Sequence, residues 1–460
     1  MNPQAFLNRF LRGILIIGIL VLFIIPTPSV RAEDNPTVND LFSFFVEKFV
    51  KLLGQVERGA PMDVISSKLA STFIEDLKNA ESRFGQLPEY WELRAFFDLR
   101  QEDEARARIK IQGFTFMALT NFDLPLNPLM LQKALDINPN LAPVQWTLGR
   151  IEALEAASTL NETIRRDRTI PKGRQILIDA AERAAISDPS NGFYPFIEAI
   201  RLLPEGDVDK ALQLLEAATN FEKFEYPLFF PQSYFLEHLD DLAKGKGAFK
   251  NLSFTQASLL LVQFDLAGLV AFDSEEVKYV YNKIINEALT KDDWRNVFTV
   301  LHRAAAHMGR CRYSDLSNSL VAKSLMTLCQ QGALKIAIEK GDRDLEIAMV
   351  ILGEETDFIR RTFKMTVDIS SPTLSLLTFG LFMDAMPAQE LKDEFAKAFG
   401  AGFPLREFQE GLLQDLVSKR GHILSQKYLW PIFESLETFD FANPRAWYDA
   451  RLNELFPPEK

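Results

Sequence analysis

The chain has 460 residues, 47% of them hydrophobic, and a formal net charge of −12 at pH 7. That apolar content is enough for a core and excludes global disorder. The acidic balance opposes nucleic-acid and anionic-membrane binding through the general field. In chain order, the first element is "NRFLRGILIIGILVLFIIPTPSVRA", ending at Ala32. Arg9 and Arg12 precede an apolar run from Ile14 to Ile25, and Val30-Arg31-Ala32 puts small residues at the −3 and −1 positions of a cleavage site. This is the layout of a secretory signal peptide over residues 1–32, cleaved after Ala32. The run holds 12 residues, against about 20 needed to span a bilayer; a retained N-terminal anchor is the alternative. Cleavage removes three Arg and no acid, so the mature net charge is −15. No Cys follows the run, which argues against a bacterial lipoprotein. No later run reaches about 18 apolar residues, so no membrane span is expected in the mature chain.

The periodic segments that follow are helical. "VNDLFSFFVEKFVKLLGQV" places Leu41, Phe44, Phe45, Phe49, Leu52 and Leu53 on one face. "DVISSKLASTFIEDLKNAESRFG" does the same and stops at Gly85. "PEYWELRAFFDLRQEDEARARIKIQGF" starts with Pro88 in a first turn and meets a stop signal at Gly113. Gly and Pro cluster at Asn121–Pro128, Lys244–Asn251 and Phe399–Pro404, the candidate boundaries. We therefore divide the mature chain into an N-terminal helical region (33–120), helical repeats with an aromatic-rich end (126–243) and a C-terminal helical domain (252–460). Phe249–Phe272 is the least decided stretch; its Leu and Ala content favours a buried helix over a strand.

The middle of the chain is the most informative. In "DPSNGFYPFIEAIRLLPEGDVDKALQLLEAATN", Asn191 can cap a helix whose Phe193, Phe196, Ile197, Ile200 and Leu203 share a face. Gly206 turns the chain, and Ala211, Leu215 and Ala218 follow at spacings of four and three. Small residues there let two helices approach closely. These residues resemble the tetratricopeptide repeat, a 34-residue helix–turn–helix unit. Gly206, Ala211, Leu215 and Ala218 match its second helix; Ala199 and Leu202 match its first, whereas Pro195 and Glu198 do not. Upstream, "QKALDINP" and "AERAAISDP" both place Ala five residues before Pro. Between them Trp146, Leu148 and Gly149 lie near the repeat's Trp–Leu–Gly positions. Pro139 and Pro189 are 50 residues apart rather than 34, which fits one polar insertion at Ser158–Gly173. The resemblance covers about residues 126–220. It implies an all-α, right-handed solenoid-like array of helical hairpins, tetratricopeptide-like in the middle. It also implies partner binding on the concave face of first helices, here Trp146, Arg150, Phe193, Phe196 and Ile200. An unrelated helical hairpin is the alternative.

Catalytic signals are weak. The four His include His302 and His307, five apart and so about 140° apart around a helix; a helical metal pair wants a spacing of four. Glu434 precedes Ser435, as the catalytic Glu does in some periplasmic lytic transglycosylases, but their Gly-Leu-Met-Gln signature is absent. "KGKGAFK" lacks the P-loop spacing, and no G-x-S-x-G elbow occurs. No metal or cofactor is expected. Cys311 precedes a helix read from Ser314 and Cys329 lies near its end, which would hold them roughly 22 Å apart, whereas a disulfide needs Cα atoms within about 7 Å; a bridge requires the helix to break near Ser317–Ser319. "FEKFEYPLFFPQSYF" (Phe221–Phe235) packs seven aromatics around Pro227 and Pro231. It either lines a groove for a peptide or apolar ligand, or plugs the end of the repeat stack.

The expectation from the sequence is an exported, non-enzymatic protein–protein interaction scaffold, periplasmic or secreted, that binds a protein or peptide segment in a helical-repeat groove. An all-helical carbohydrate-active enzyme of the α/α-toroid type and a structural subunit of an envelope assembly are the rival readings. The oligomeric state is open.

Overall fold

The computed structural model describes residues 36–54, 74–97, 126–158, 171–202, 207–228, 230–250, 252, 256–257, 260–261, 274–290, 292–313, 317–383, 393 and 404–455. The signal-peptide reading, most of the proposed insertion, the Gly206 turn and the Gly113 stop lie outside them. Helices account for the architecture. In chain order we name α1 (Val38–Gly54), α2 (Glu81–Phe84), α3 (Pro88–Phe97), α4 (Pro128–Ile137), α5 (Ala142–Ser158) and α6 (Pro171–Ser187). Then come α7 (Phe193–Leu202), α8 (Val208–Thr219), α9 (Gln232–Glu237), α10 (Leu239–Lys244), α11 (Ser274–Ala288) and α12 (Trp294–Gly309). The chain continues through α13 (Ser317–Lys340), α14 (Arg343–Met383), α15 (Leu405–Ser418), α16 (Gly421–Tyr428), α17 (Trp430–Glu437) and α18 (Pro444–Leu455). Among the described residues there is no strand, only two isolated bridges, Asn191 with Lys223 and Glu225 with Arg312. None of these helices is long and apolar enough to cross a membrane.

The described residues fall into two compact units, each drawn from three separated stretches: those within 1–139, 228–265 and 371–420 in one, and those within 140–227, 266–370 and 421–460 in the other. The first unit is built on aromatic contact. Phe42 of α1 meets Phe230 at 6.0 Å, Tyr234 at 4.6 Å and Phe249 at 5.6 Å between ring centroids. α3 and α4 run antiparallel: Asn127 N–H donates to the Ala95 carbonyl at 3.0 Å, and Lys133 Nζ sits 4.0 Å over the Trp91 ring. Asn127 also caps α4, its side chain accepting from Leu129 N–H. The "KGKGAFK" stretch is a tight turn; Gly245 ends α10 with a φ of 60°, where a side chain would be strained.

In the second unit two pairs of consecutive helices pack antiparallel. Ser187 Oγ donates to Gln145 Oε1 at 3.0 Å, and Gly149 lies against Ala180, so α5 and α6 are antiparallel. A Cβ at Gly149 would stand 2.2 Å from the Ala180 Cβ, which is why that position takes glycine. α7 and α8 are antiparallel too, with Lys210 bonded to Glu198 at 3.2 Å and Ala211, Leu215 and Ala218 buried along the contact. α6 packs on α7 and α8 packs on α12. α12 is the hub: it contacts α8, α11, α13 and α17, and its His302, Ala304, Ala305, Ala306 and Met308 are wholly buried. The approach of α12 to α17 is closest at Gly309, where a Cβ would lie 2.4 Å from the Phe433 ring.

Two glycines on helices therefore predict opposite outcomes. Gly309→Ala must displace Phe433 and should cost about 1–3 kcal/mol. Gly353→Ala on α14 meets nothing within 4 Å and should add roughly 1 kcal/mol through helix propensity. Urea midpoints of the two variants should fall on either side of the parent.

Candidate functional site

The aromatic stretch after α8 divides at its first proline. Phe221–Pro227 belongs to the second unit, where Lys223–Tyr226 runs extended as a strap. Its side chains alternate as they would on a strand: Phe224 and Tyr226 are buried, Lys223 and Glu225 point outward. A buried extended backbone has no helix to satisfy its polar groups, so it must borrow partners. It borrows them on both sides. Gly192 N–H donates to the Lys223 carbonyl at 2.9 Å. Arg312 N–H donates to the Phe224 carbonyl and Tyr226 N–H donates to the Arg312 carbonyl, both at 2.9 Å. Asn191 supplies the rest: its Oδ1 accepts from Glu225 N–H and its Nδ2 donates to the Glu225 carbonyl, each at 3.0 Å. The same Oδ1 caps α7 by accepting from Phe193 N–H at 3.1 Å. Gly192 is required beside it, since a Cβ there would sit 2.5 Å from the Ala218 carbonyl oxygen.

Four of the residues assigned to a partner groove, Trp146, Arg150, Phe193 and Phe196, converge around this strap, while Ile200 is buried on α7. Phe224 lies 5.7 Å from Phe196 and 6.3 Å from Phe193 between ring centroids, all edge-on. Tyr226 lies 5.5 Å from Phe193, which in turn meets Trp146 at 5.9 Å. Arg150 donates to the Tyr226 hydroxyl at 3.0 Å. Burial pushes that phenol up to about 12, against the opposing effect of Arg150, so it stays protonated and able to accept. Trp146, Phe193, Phe196 and Ile200 are buried and Arg150 is half-buried. The face expected to receive a partner is thus filled by the chain's own Phe224 and Tyr226. The physical reason is proximity: the strap leaves α8 a few residues earlier and reaches the seat at high effective concentration.

Charge closes the rim. Lys223 pairs with Asp188 at 2.8 Å and Glu225 at 3.5 Å, and Arg312 pairs with Glu225 at 2.9 Å. Burial alone would raise the Asp188 carboxyl, but hydrogen bonds from Lys223 and Ser190 and the Lys223 charge hold it below its usual range. Beneath the strap, the His307 ring stands edge-on 5.0 Å from Phe224. His307 Nδ1 is 3.1 Å from Glu437, and Arg310 ion-pairs with Glu437 and, at 3.4 Å, with Glu434. His302 faces another side of α12, 3.2 Å from Gln330 Nε2, and burial depresses it to about 3. Both His are buried and leave different faces of α12. Glu434 stands exposed in its ion pair. No disulfide joins Cys311 and Cys329. Among the described residues no group of His, Cys, Asp and Glu is arranged to hold a metal.

The first unit holds one more perturbed group that the sequence does not single out. Glu92 of α3 is buried and accepts from Phe230 N–H at 2.7 Å. Burial raises its carboxyl to about 8, partly opposed by that hydrogen bond and reinforced by the Glu89 charge.

No protein-family model matches the chain, and comparison with curated proteins and with solved structures finds no match.

Two variants test this geometry. Asn191→Ala leaves Phe193 and Glu225 N–H groups and the Glu225 carbonyl without their partner and should destabilise by roughly 2–4 kcal/mol, read from the urea midpoint. Glu92 carries a raised pKa when folded, so the native state holds a proton that the unfolded state releases above about 4.5. Its contribution is intact below that pH and is lost as pH rises toward 8. Glu92→Gln should match the parent near pH 4 and exceed it by about 3 kcal/mol at pH 7. Equal pH slopes for the two proteins would contradict this.

Proposed function

We propose that this chain is an exported, non-enzymatic interaction scaffold whose tetratricopeptide-like hairpins bind extended peptide segments. The observation that carries the reading is the strap. The turn between α6 and α7 and the segment after α12 hold an extended stretch of four residues by hydrogen bonds on two sides, while its two aromatic side chains pack on Phe193 and Phe196 of α7 and its charges form an ion-paired rim. Strand-like main-chain pairing gives affinity and alternate side-chain pockets give specificity, a recurring mode of peptide recognition. The sequence Lys-Phe-Glu-Tyr defines what the seat prefers: an aromatic at alternate positions, with a cation and an anion between. A partner segment of that pattern would take the place of the strap. Export rests on the N-terminal charge and apolar layout. The localisation that follows is periplasmic or secreted.

The test uses a fluorescent peptide with the sequence of residues 221–228. It should bind the double variant Phe224→Ala/Tyr226→Ala, whose own strap cannot fill the seat, and bind the parent at least tenfold more weakly. Circular dichroism of the variant establishes that it remains folded. Tyr226→Phe, which keeps the ring and loses only the hydroxyl bonded to Arg150, should show intermediate binding. Failure of the folded double variant to bind the peptide would overturn the reading.

A further inference from the structure

We infer that a second copy of this chain docks antiparallel along the exposed face of α14, across a two-fold axis between Asp357 and Phe358. The helix buries one side, through Leu345, Ala348, Leu352, Thr356, Ile359, Thr362 and Thr366. Its opposite side is unusually apolar for an exposed surface. Ile347, Val350, Phe358 and Met365 are 46%, 64%, 50% and 42% exposed. At 100° per residue these four fall within one stripe, which runs for about 27 Å. Glu354 and Arg361 complete it. They are exposed and only loosely paired with each other, at 3.9 Å with both side chains largely in solvent, so that contact contributes little; the Arg361 guanidinium also lies 5.5 Å over the Phe358 ring.

The occupant follows from the order of these residues. Val350 and Met365 are equidistant from the point between Asp357 and Phe358. So are Glu354 and Arg361. A two-fold axis through that point sets Val350 against Met365 of the partner subunit, and Glu354 against Arg361 of the partner subunit. Each contact occurs twice. Phe358 lies beside Phe358 of the partner subunit at the centre. That pairing is what an isologous interface requires; the same axis sets Ile347 against the exposed Asp368 of the partner subunit at the edge of the contact. A parallel pair would set Glu354 against its own copy and Arg361 against its own copy. An unrelated partner helix would need no such mirror pattern in this one. The contact is one helix wide and below the roughly 800 Å² per partner of a standard interface, so association is expected in the micromolar range and depends on concentration. It is independent of the strap seat and of the proposed peptide binding.

The experiment is sedimentation velocity on the protein as its host produces it, from about 1 to 100 μM. The expected result is a shift from monomer to dimer across that range. Phe358→Lys should abolish the dimer. Glu354→Arg and Arg361→Glu should each weaken it at least tenfold, because each places like charges opposite one another in the homodimer. Mixing these two variants should restore a dimer, since one subunit then carries cations at both positions and the other carries anions at both. All three positions are exposed, so circular dichroism should be unchanged. A monomer at every concentration overturns the inference. A dimer indifferent to Phe358→Lys, or one that the charge-reversed pair fails to restore on mixing, overturns it as well.

Discussion

Burying an extended backbone inside a helical protein creates polar groups that no helix can satisfy. In this chain that demand is met by Asn191 and Arg312. Asn191 uses both ends of its amide on Glu225 while capping α7, and Arg312 uses its own main chain on the other edge. Everything else at the seat depends on that fixation. With the backbone of residues 223–226 held, the side-chain period of two forces Phe224 and Tyr226 inward together and Lys223 and Glu225 outward together. The aromatic packing and the ion-paired rim are two consequences of one register. An unpaired buried amide costs more than a typical hydrogen bond contributes, so the register has no inexpensive alternative.

The second unit is arranged to present those clamps. α12 occupies its centre, with α8, α11, α13 and α17 around it. Its run of Ala304, Ala305 and Ala306, ending at Gly309, allows neighbours on several sides at close range. The chain leaves α12 at Gly309 and reaches Arg312 three residues later, so the second clamp is fixed by the end of a largely buried helix. The first clamp sits between α6 and α7, inside the antiparallel stack. Tyr313, directly after Arg312, holds a φ of 65°, an uncommon conformation for a bulky side chain. The two clamps thus come from distant parts of the sequence, each at the end of a helix that is mostly buried.

How much of this was legible follows from the range of each interaction. Helical periodicity is local, and the helices around Leu41, Pro88, Asn191 and Ala211 are where the spacing puts them. The small residues also carried a local message: Gly149 and Ala218 mark helix approaches that the structure contains. The Asn191 cap was legible for the same reason. Its second role was not, because Glu225 is a remote residue and an asparagine at a helix start needs no further explanation. The strap did leave a signal, the alternation Lys-Phe-Glu-Tyr ended by Pro227, yet a four-residue alternation inside an aromatic cluster is too short to weigh against a helical background. The residues expected in the groove, Trp146, Arg150, Phe193 and Phe196, do meet. What sequence spacing could not supply was the occupant. Glu92 was silent for a related reason, since its environment is made by Phe230, 138 residues later.

A seat filled in cis changes what a binding face means for this chain. Apolar residues at a repeat's inner face are ordinarily read as waiting for a partner, because exposure of so many aromatics needs an explanation. Here the explanation is internal, and the strap satisfies it at an effective concentration that a dilute partner cannot match unless its intrinsic affinity is greater. Under the proposed peptide binding, the seat would set a threshold: it would reject segments that cannot reproduce both the alternate aromatics and the main-chain pairing, since a poorer ligand would leave Asn191 and Arg312 unsatisfied. On α14 the balance is reversed: among the described residues, the apolar stripe has no segment of its own unit over it. The same sequence has thus closed one apolar face with tethered aromatics and left another open, flanked by charges whose order suits a copy of itself.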